Sequence, residues 1–146
     1  MNEIKKAQEF IILDNFRQSF PEFPKGKLIK SESPDFILKT SPKYSIGIEL
    51  TALPSLTYTI TKKSISTFII ELQISIAKKE EKLKIYQKKR ANEYWLIIFA
   101  DSIISQGINL NNHIEKLPVY VNYERIFLFT IFESKICELR DQKSDK

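Results

Sequence analysis

The sequence is poor in cysteine, histidine and glycine, and each shortage excludes a class of protein. A single cysteine, Cys137, permits no internal disulfide and no cysteine-rich zinc site. A single histidine, His113, leaves too few ligands for a histidine zinc site. Three glycines and no repeat exclude glycine-rich phosphate loops and collagen-like sequences. The longest wholly apolar run, Trp95–Ala100, is far shorter than the roughly 20 residues of a membrane-spanning helix.

The composition is typical of a globular protein with an ordinary core. Hydrophobic residues make up 42% of the chain and charged residues 28%. We expect the 146 residues to form one domain, with a core at about 2–100 and C-terminal strands and a tail at 101–146. Acidic residues near the start, such as Glu3 and Glu9, argue against a signal peptide, and a single cysteine suits a reducing compartment. A cytoplasmic protein without membrane association is therefore expected.

The net charge of +5 is concentrated in one segment, residues 78–90 (KKEEKLKIYQKKR), which has seven basic and two acidic residues. The rest of the chain has 16 of each and is neutral. A neutral body with one basic stripe is typical of polyanion-binding proteins, although a solvated helix with pairs such as Glu80–Lys84 has the same composition. The candidate nucleic-acid-binding residues are Lys78, Lys84, Lys88, Lys89 and Arg90.

The hydrophobic pattern predicts an α/β fold with a mixed central sheet flanked by helices. A first helix, from Asn2 to about Phe20, is so apolar that we expect much of it to be buried. Period-2 alternation predicts strands at Asp35–Thr40 and Tyr44–Thr51, and the apolar run Tyr94–Ala100 is typical of a strand buried on both faces. The clearest helix runs from about Ser64 to Arg90. The remaining expectations are a short strand at Lys27–Ser31, a loop at Ala52–Lys62, a loop with a short helix at Asp101–Lys116, strands at Val119–Val121 and Arg125–Phe132, and a charged tail after Ser134.

Two carboxylates are expected to face each other in the first hairpin. If a three-residue turn joins its strands, the numbers of antiparallel partners sum to 84, so Phe36 faces Ile48 and Asp35 faces Glu49. Opposed carboxylates repel each other unless a cation lies between them, and Mg²⁺ is commonly held by one or two carboxylates. We therefore predict a metal site here, with Gly47 leaving the space above the strand open. A solvated pair on an exposed edge is the alternative.

Pro34-Asp35, followed at the end of the next strand by Glu49-Leu50-Thr51, resembles the motif of the PD-(D/E)XK nuclease superfamily, which has the fold of restriction endonucleases. The predicted element order through about Ala100 is similar to the core of that family: a helix, a three-stranded meander, a long helix and a buried strand. The resemblance implies a restriction-endonuclease-like fold and hydrolysis of DNA or RNA phosphodiesters with Mg²⁺ or Mn²⁺. In that chemistry the ion activates a water and neutralises charge that develops on the phosphate.

The resemblance also assigns residues to the metal site. It implies that Asp35 and Glu49 bind the ion and that the main-chain carbonyl of Leu50 adds a ligand. Glu32 precedes Pro34 of the motif by two residues and is a candidate third carboxylate. Acidic residues of the first helix are left unassigned.

One position departs from the family motif, because Thr51 replaces the lysine that orients the attacking water. Some members of the family carry this lysine on the following helix. At about 100° per residue, Lys79 lies within the apolar stripe of that helix and Lys82 lies on its flank. A lysine on a buried stripe needs a route to water or an anionic partner, and the two hairpin carboxylates would be such partners. Lys79 is the first candidate for the catalytic lysine and Lys82 the second, while Thr51 could position a water.

The sequence thus predicts a metal-dependent nuclease-like protein, an endonuclease or exonuclease, that binds nucleic acid along its basic segment. The alternative is a catalytically inactive member of the same fold that acts as a nucleic-acid- or protein-binding module. Thr51 favours the alternative, and the Asp35–Glu49 pair argues against it. A chain of this length has little surface for a separate specificity domain, so a homodimer or a protein partner is also expected.

Overall fold

The computed structural model describes residues 2–86, 90–114, 117 and 122–139. Within these ranges the chain forms three helices and eight strands. The helices are α1 (Asn2–Ser19), α2 (Ile65–Tyr86) and α3 (Leu110–Ile114). The strands are β1 (Lys27–Lys30), β2 (Phe36–Ser41), β3 (Tyr44–Ala52), β4 (Thr57–Ile60), β5 (Glu93–Ala100), β6 (Ser102–Ser105), β7 (Arg125–Thr130) and β8 (Lys135–Glu138).

Six of these strands form one mixed sheet in the order β1-β2-β3-β5-β7-β8. The first three strands form an antiparallel meander, β3, β5 and β7 run parallel to one another, and β8 is antiparallel to β7. The other two strands, β4 and β6, form a separate parallel pair. The predicted α/β class, with a mixed central sheet flanked by helices, is confirmed.

The two long helices cover opposite faces of the sheet. Phe16 of α1 belongs to the same buried cluster as Trp95 of β5, whereas Leu72 of α2 packs with the next residue, Leu96. Successive side chains of a strand point to opposite faces, so each central strand contributes to both cores. This explains the continuous apolar run of β5, which the sequence predicted to be buried on both faces. No helix in the described ranges has the length and hydropathy needed to cross a bilayer.

The hairpin of β2 and β3 has the predicted register up to Lys39, but its turn is not the predicted one. Ser41 is paired with Tyr44, so two residues join the strands instead of three, and a register shift between Lys39 and Ser41 compensates for the shorter turn. Phe36 is paired with Ile48 and Leu38 with Ile46. Asp35 immediately precedes β2 and is not its first residue. The second predicted helix is also present, and it begins at Ile65.

Several sequence expectations were wrong in part. The predicted loop at Ala52–Lys62 contains β4, and the segment Asp101–Lys116 contains β6 before its short helix. The tail after Ser134 contains β8. These strands have four residues each, and β4 and β6 are stabilised by a partner distant in sequence, so local periodicity does not reveal them. The predicted strand Val119–Val121 lies outside the described residues.

The first helix is less buried than its apolar residues suggested. Leu13 and Phe16 are fully buried, but Phe10 and Ile11 are 49% and 60% exposed. Because only one side of α1 contacts the sheet, a helix with apolar residues on several sides leaves some of them in solvent.

Candidate active site

The two hairpin carboxylates lie together near the end of β3. The backbone N–H of Asp35 donates to Oε1 of Glu49 at 3.3 Å, and the backbone N–H of Leu50 donates to Oδ2 of Asp35 at 2.8 Å. Glu49 is one of the two buried polar or charged residues in the described ranges. The predicted proximity of Asp35 and Glu49 is therefore present, and one backbone donor from β3 and one from the residue just before β2 stabilise it.

Lys79 joins these carboxylates from α2. Its Nζ lies 2.7 Å from Oε2 of Glu49, and the two side chains are only 18% and 10% exposed. Lys79 follows the buried Ile76 by three residues, so it extends the apolar stripe of α2 toward the sheet. The predicted orientation of Lys79 is confirmed, and the contact is a largely buried, charge-assisted hydrogen bond.

The environment of Asp35 disfavours its ionised form. The pKa of Asp35 is raised from 3.8 to about 6, mainly by burial and next by the neighbouring charge of Glu49. The Leu50 N–H and the Lys30 ammonium act in the opposite direction, and Glu9 adds to the increase. A carboxylate with a pKa of about 6 next to a second carboxylate is a site where a proton or another cation is stabilised.

A cavity of about 430 Å³ contains this cluster. It is bounded by α1, the turn before β2, the end of β3 and the second half of α2. Every residue predicted for catalysis or metal binding lines it: Glu32, Asp35, Glu49, Leu50, Thr51, Lys79 and Lys82. Thr51 is half-buried, whereas Glu32 and Lys82 are exposed at the surface.

Two residues beside this cluster were not predicted to belong to the site. Glu9 of α1 lines the cavity, and Lys30 of β1 contacts Glu9 from outside it. The Lys30 ammonium lies 3.1 Å from Oε1 of Glu9 and donates to the carbonyls of Ser31 and Asp35 at 2.8 and 3.0 Å. These contacts tie α1 to the turn that carries Asp35. The sequence could have predicted that Glu9 faces the sheet. Glu9 lies three residues before Ile12, so it extends the apolar stripe of α1 as Lys79 extends that of α2.

The space above Gly47 is filled, contrary to the sequence expectation. A Cβ at this position would lie 2.7 Å from ring atoms of Tyr94 and 2.8 Å from Cγ of Pro34. Tyr94 is paired with Gly47 across β3 and β5, and its ring occupies the place of the missing side chain. The open space lies beside the end of β3, at Glu49 and Thr51.

The basic segment is described only in part. Lys78, Lys84 and Arg90 are exposed, whereas the predicted binding residues Lys88 and Lys89 lie outside the described residues. Lys78 and Lys84 do not line the cavity that contains the carboxylates, but Lys82 of the same segment does.

The donor set restricts the kind of ion that the cavity could hold. No group of three or more His, Cys, Asp or Glu side chains with metal-site geometry occurs in residues 2–86, 90–114, 117 and 122–139. Two carboxylates near a backbone carbonyl fit Mg²⁺, which usually keeps several water ligands, better than an ion that needs a complete protein cage.

The fold and the cavity define an α/β domain with a recessed site of two carboxylates and one lysine. Comparisons of the chain with protein families, curated proteins and solved structures give no match.

Proposed function

We propose that the protein is a Mg²⁺-dependent nuclease with a restriction-endonuclease-like core, which hydrolyses phosphodiester bonds of DNA or RNA. The observation that carries the proposal is the convergence of three side chains on one cavity. Glu49 accepts hydrogen bonds from the Asp35 backbone and from Lys79, which lies 30 residues away on another element. Such a cluster has the composition of a phosphoryl-transfer site, in which metal ligands and a cation surround the phosphate.

The order of the elements supports the proposed core. Helix α1, the meander of β1 to β3, helix α2 and the buried strand β5 follow one another in the order that the PD-(D/E)XK resemblance implies. The positions of Asp35, just before β2, and of Glu49, near the end of β3, support the proposal that these two residues are the acidic pair of that motif.

In the proposed site Asp35 and Glu49 would hold the ion, with the carbonyl of Leu50, while Glu32 is exposed at the same cavity. Mg²⁺ or Mn²⁺ would supply a water of lowered pKa and compensate negative charge on the phosphate. Because the pKa of Asp35 is about 6, its carboxyl group is fully ionised, and able to bind a cation, only above that pH.

In the proposed site Lys79 supplies the positive charge that Thr51, at the motif position of the family's lysine, lacks. Its ammonium has three donors, of which the contact with Glu49 uses one, so it can also orient a water toward the phosphate. The Thr51 hydroxyl lines the same cavity and can position a water without adding charge. Lys82 is exposed at the edge of the cavity and is the second candidate for this role.

The proposal is tested by cleavage of end-labelled DNA and RNA, single-stranded and duplex, in Mg²⁺, Mn²⁺ or EDTA. We expect metal-dependent cleavage by the wild-type protein and none by the Asp35→Asn/Glu49→Gln variant. The Glu22→Gln/Glu81→Gln variant removes two exposed carboxylates and is the matched control. Cleavage that survives the loss of Asp35 and Glu49, or a wild-type protein that cleaves none of these substrates, would overturn the proposal.

The second candidate is a catalytically inactive member of the same fold that binds nucleic acid or a protein partner. Thr51 in place of the motif lysine favours it. An oligonucleotide that is bound and not cleaved, together with no heat on Mg²⁺ titration, would assign this function, because a scaffold without catalysis has no need of the ion.

A further inference from the structure

The cavity that contains Asp35 adjoins a second one of about 270 Å³. The two share residues of α1 and of the turn before β2: Lys5, Glu9, Glu32 and Asp35. The larger cavity reaches Lys82 on α2, and the smaller one reaches Lys6 on α1. Together they form one groove, called here the α1–α2 groove, which contains these carboxylates and is lined by Lys5 and Lys6 of α1 and by Lys82 of α2.

The lysines of this groove are of two kinds. Lys30 and Lys79 are engaged, because each forms an ion pair with a glutamate. Lys5, Lys6 and Lys82 are exposed and make no hydrogen bond or ion pair within the described part of the chain. Three ammonium groups on two helices are thus available to an anionic ligand.

We propose that the α1–α2 groove binds a single nucleic-acid strand, with Lys82 contacting phosphate on one side of the Asp35–Glu49 pair and Lys5 and Lys6 contacting phosphate on the other. The inference rests on the proposed function and adds the path of the substrate. The strand crosses from α2 to α1. It does not follow the basic segment along α2, whose residues Lys78 and Lys84 lie outside the groove and add long-range attraction.

The recessed position of the carboxylates favours a single strand. The Glu49 side chain is only 10% exposed, so a backbone phosphate must enter the cavity to approach it. A flexible strand can do so, and basic grooves that follow the backbone are typical of single-strand binding. The lysines that line the groove from both helices also offset the repulsion between the phosphates and the carboxylates of the groove.

The test uses fluorescein-labelled 12-nucleotide strands, oligo-dT and oligo-U, and follows binding by fluorescence anisotropy in EDTA and in Ca²⁺. The groove variant is Lys5→Gln/Lys6→Gln/Lys82→Gln. The matched control, Lys25→Gln/Lys43→Gln/Lys63→Gln, removes the same charge from exposed positions outside the groove. Thermal melting checks that both variants fold.

We expect the groove variant to lose at least about tenfold in affinity, and the control less than about threefold. Each strand phosphate contact contributes a salt slope of about −0.7, so the groove variant should also lose about two units of slope. Equal losses in both variants, an unchanged groove variant, or no binding by the wild-type protein would overturn the inference.

Cleavage measured on the same strands separates this inference from the proposed function. Binding that depends on the groove lysines, without cleavage, supports the groove and overturns the hydrolase. Cleavage with unchanged binding by the groove variant supports the hydrolase and overturns the groove.

Discussion

The ammonium of Lys79 on α2 lies 2.7 Å from Oε2 of Glu49 on β3, and both side chains are largely buried. Removing two charges from water costs several kcal/mol per ion, and a buried pair seldom adds net stability compared with apolar residues of similar size. Asp35 brings a second carboxylate to the same cavity, so its ionised form is not fully compensated. Such an arrangement is costly for the fold and is typical of a functional site.

Replacement of Lys79 should show how much the burial of the Glu49 carboxylate costs the fold. The Lys79→Met variant leaves Glu49 buried without its cation, so we expect its free energy of unfolding at pH 7.5 to fall by about 2–3 kcal/mol. Urea denaturation measures the change. Lys78→Met, on the exposed side of the same helix, should change stability by less than about 0.5 kcal/mol. Equal losses in the two variants would contradict the structural role given to the pair.

Removal of the Asp35 charge should stabilise the protein at high pH. Its pKa is 3.8 unfolded and about 6 folded, so the folded state binds the proton more tightly. That contribution to stability is fully present below pH 3.8 and is lost as the pH rises through 6. Asp35→Asn avoids the loss, so at pH 8 it should be more stable than the wild-type protein by about 2–3 kcal/mol.

Urea denaturation at pH 4 and pH 8 tests this pH dependence. The difference between Asp35→Asn and the wild-type protein should nearly vanish at pH 4, where Asp35 is protonated in the folded state. A variant that is no more stable than the wild-type protein at pH 8 would show that Asp35 is not held in the unfavourable environment described.

Binding of Mg²⁺ should release protons near the pKa of Asp35. At pH 6 about half of the Asp35 side chains are protonated, so the ion must displace that proton. Calorimetry in two buffers with different ionisation enthalpies should report about half a proton released at pH 6 and almost none at pH 8. The Asp35→Asn/Glu49→Gln variant should give no binding heat. Heat that is independent of these residues would locate the ion elsewhere.

Gly47 is required by the close approach of Tyr94 and Pro34. The added methyl group of Gly47→Ala would overlap both, so we expect a loss of about 1–3 kcal/mol in the free energy of unfolding. Ser45→Ala, at a half-buried position of the same strand, is the control and should have a much smaller effect. A Gly47→Ala variant as stable as this control would mean that the neighbouring side chains repack at little cost.

The features that the sequence predicted depend on local periodicity. The pairing of Phe36 with Ile48 follows from the alternation of two adjacent strands, although the turn between them is one residue shorter than predicted. The orientation of Lys79 toward the sheet follows from the helical repeat of a single element. Periodicity is a property of neighbouring residues, so it gives the face of a strand or helix without knowledge of its partner.

The features that the sequence did not predict depend on contacts between distant elements. Lys30 and Glu9 meet only after α1 packs beside β1, and Tyr94 fills the space above Gly47 only after β5 joins β3. The short strands β4 and β6 stabilise each other across more than 40 residues. No pattern within one segment specifies such pairings, because they are decided by the packing of the whole sheet.

The central claim is that Asp35, Glu49 and Lys79 form one hydrolytic site, and moving its lysine tests the claim most directly. Single-turnover cleavage of the best substrate would be compared for the wild-type protein, Lys79→Met and Lys79→Met/Thr51→Lys. We predict that Lys79→Met lowers the single-turnover cleavage rate by at least about 100-fold. The Lys79→Met/Thr51→Lys variant, with lysine at the family's motif position, should regain a substantial part of that rate. A Lys79→Met variant that cleaves at the wild-type rate would contradict the account.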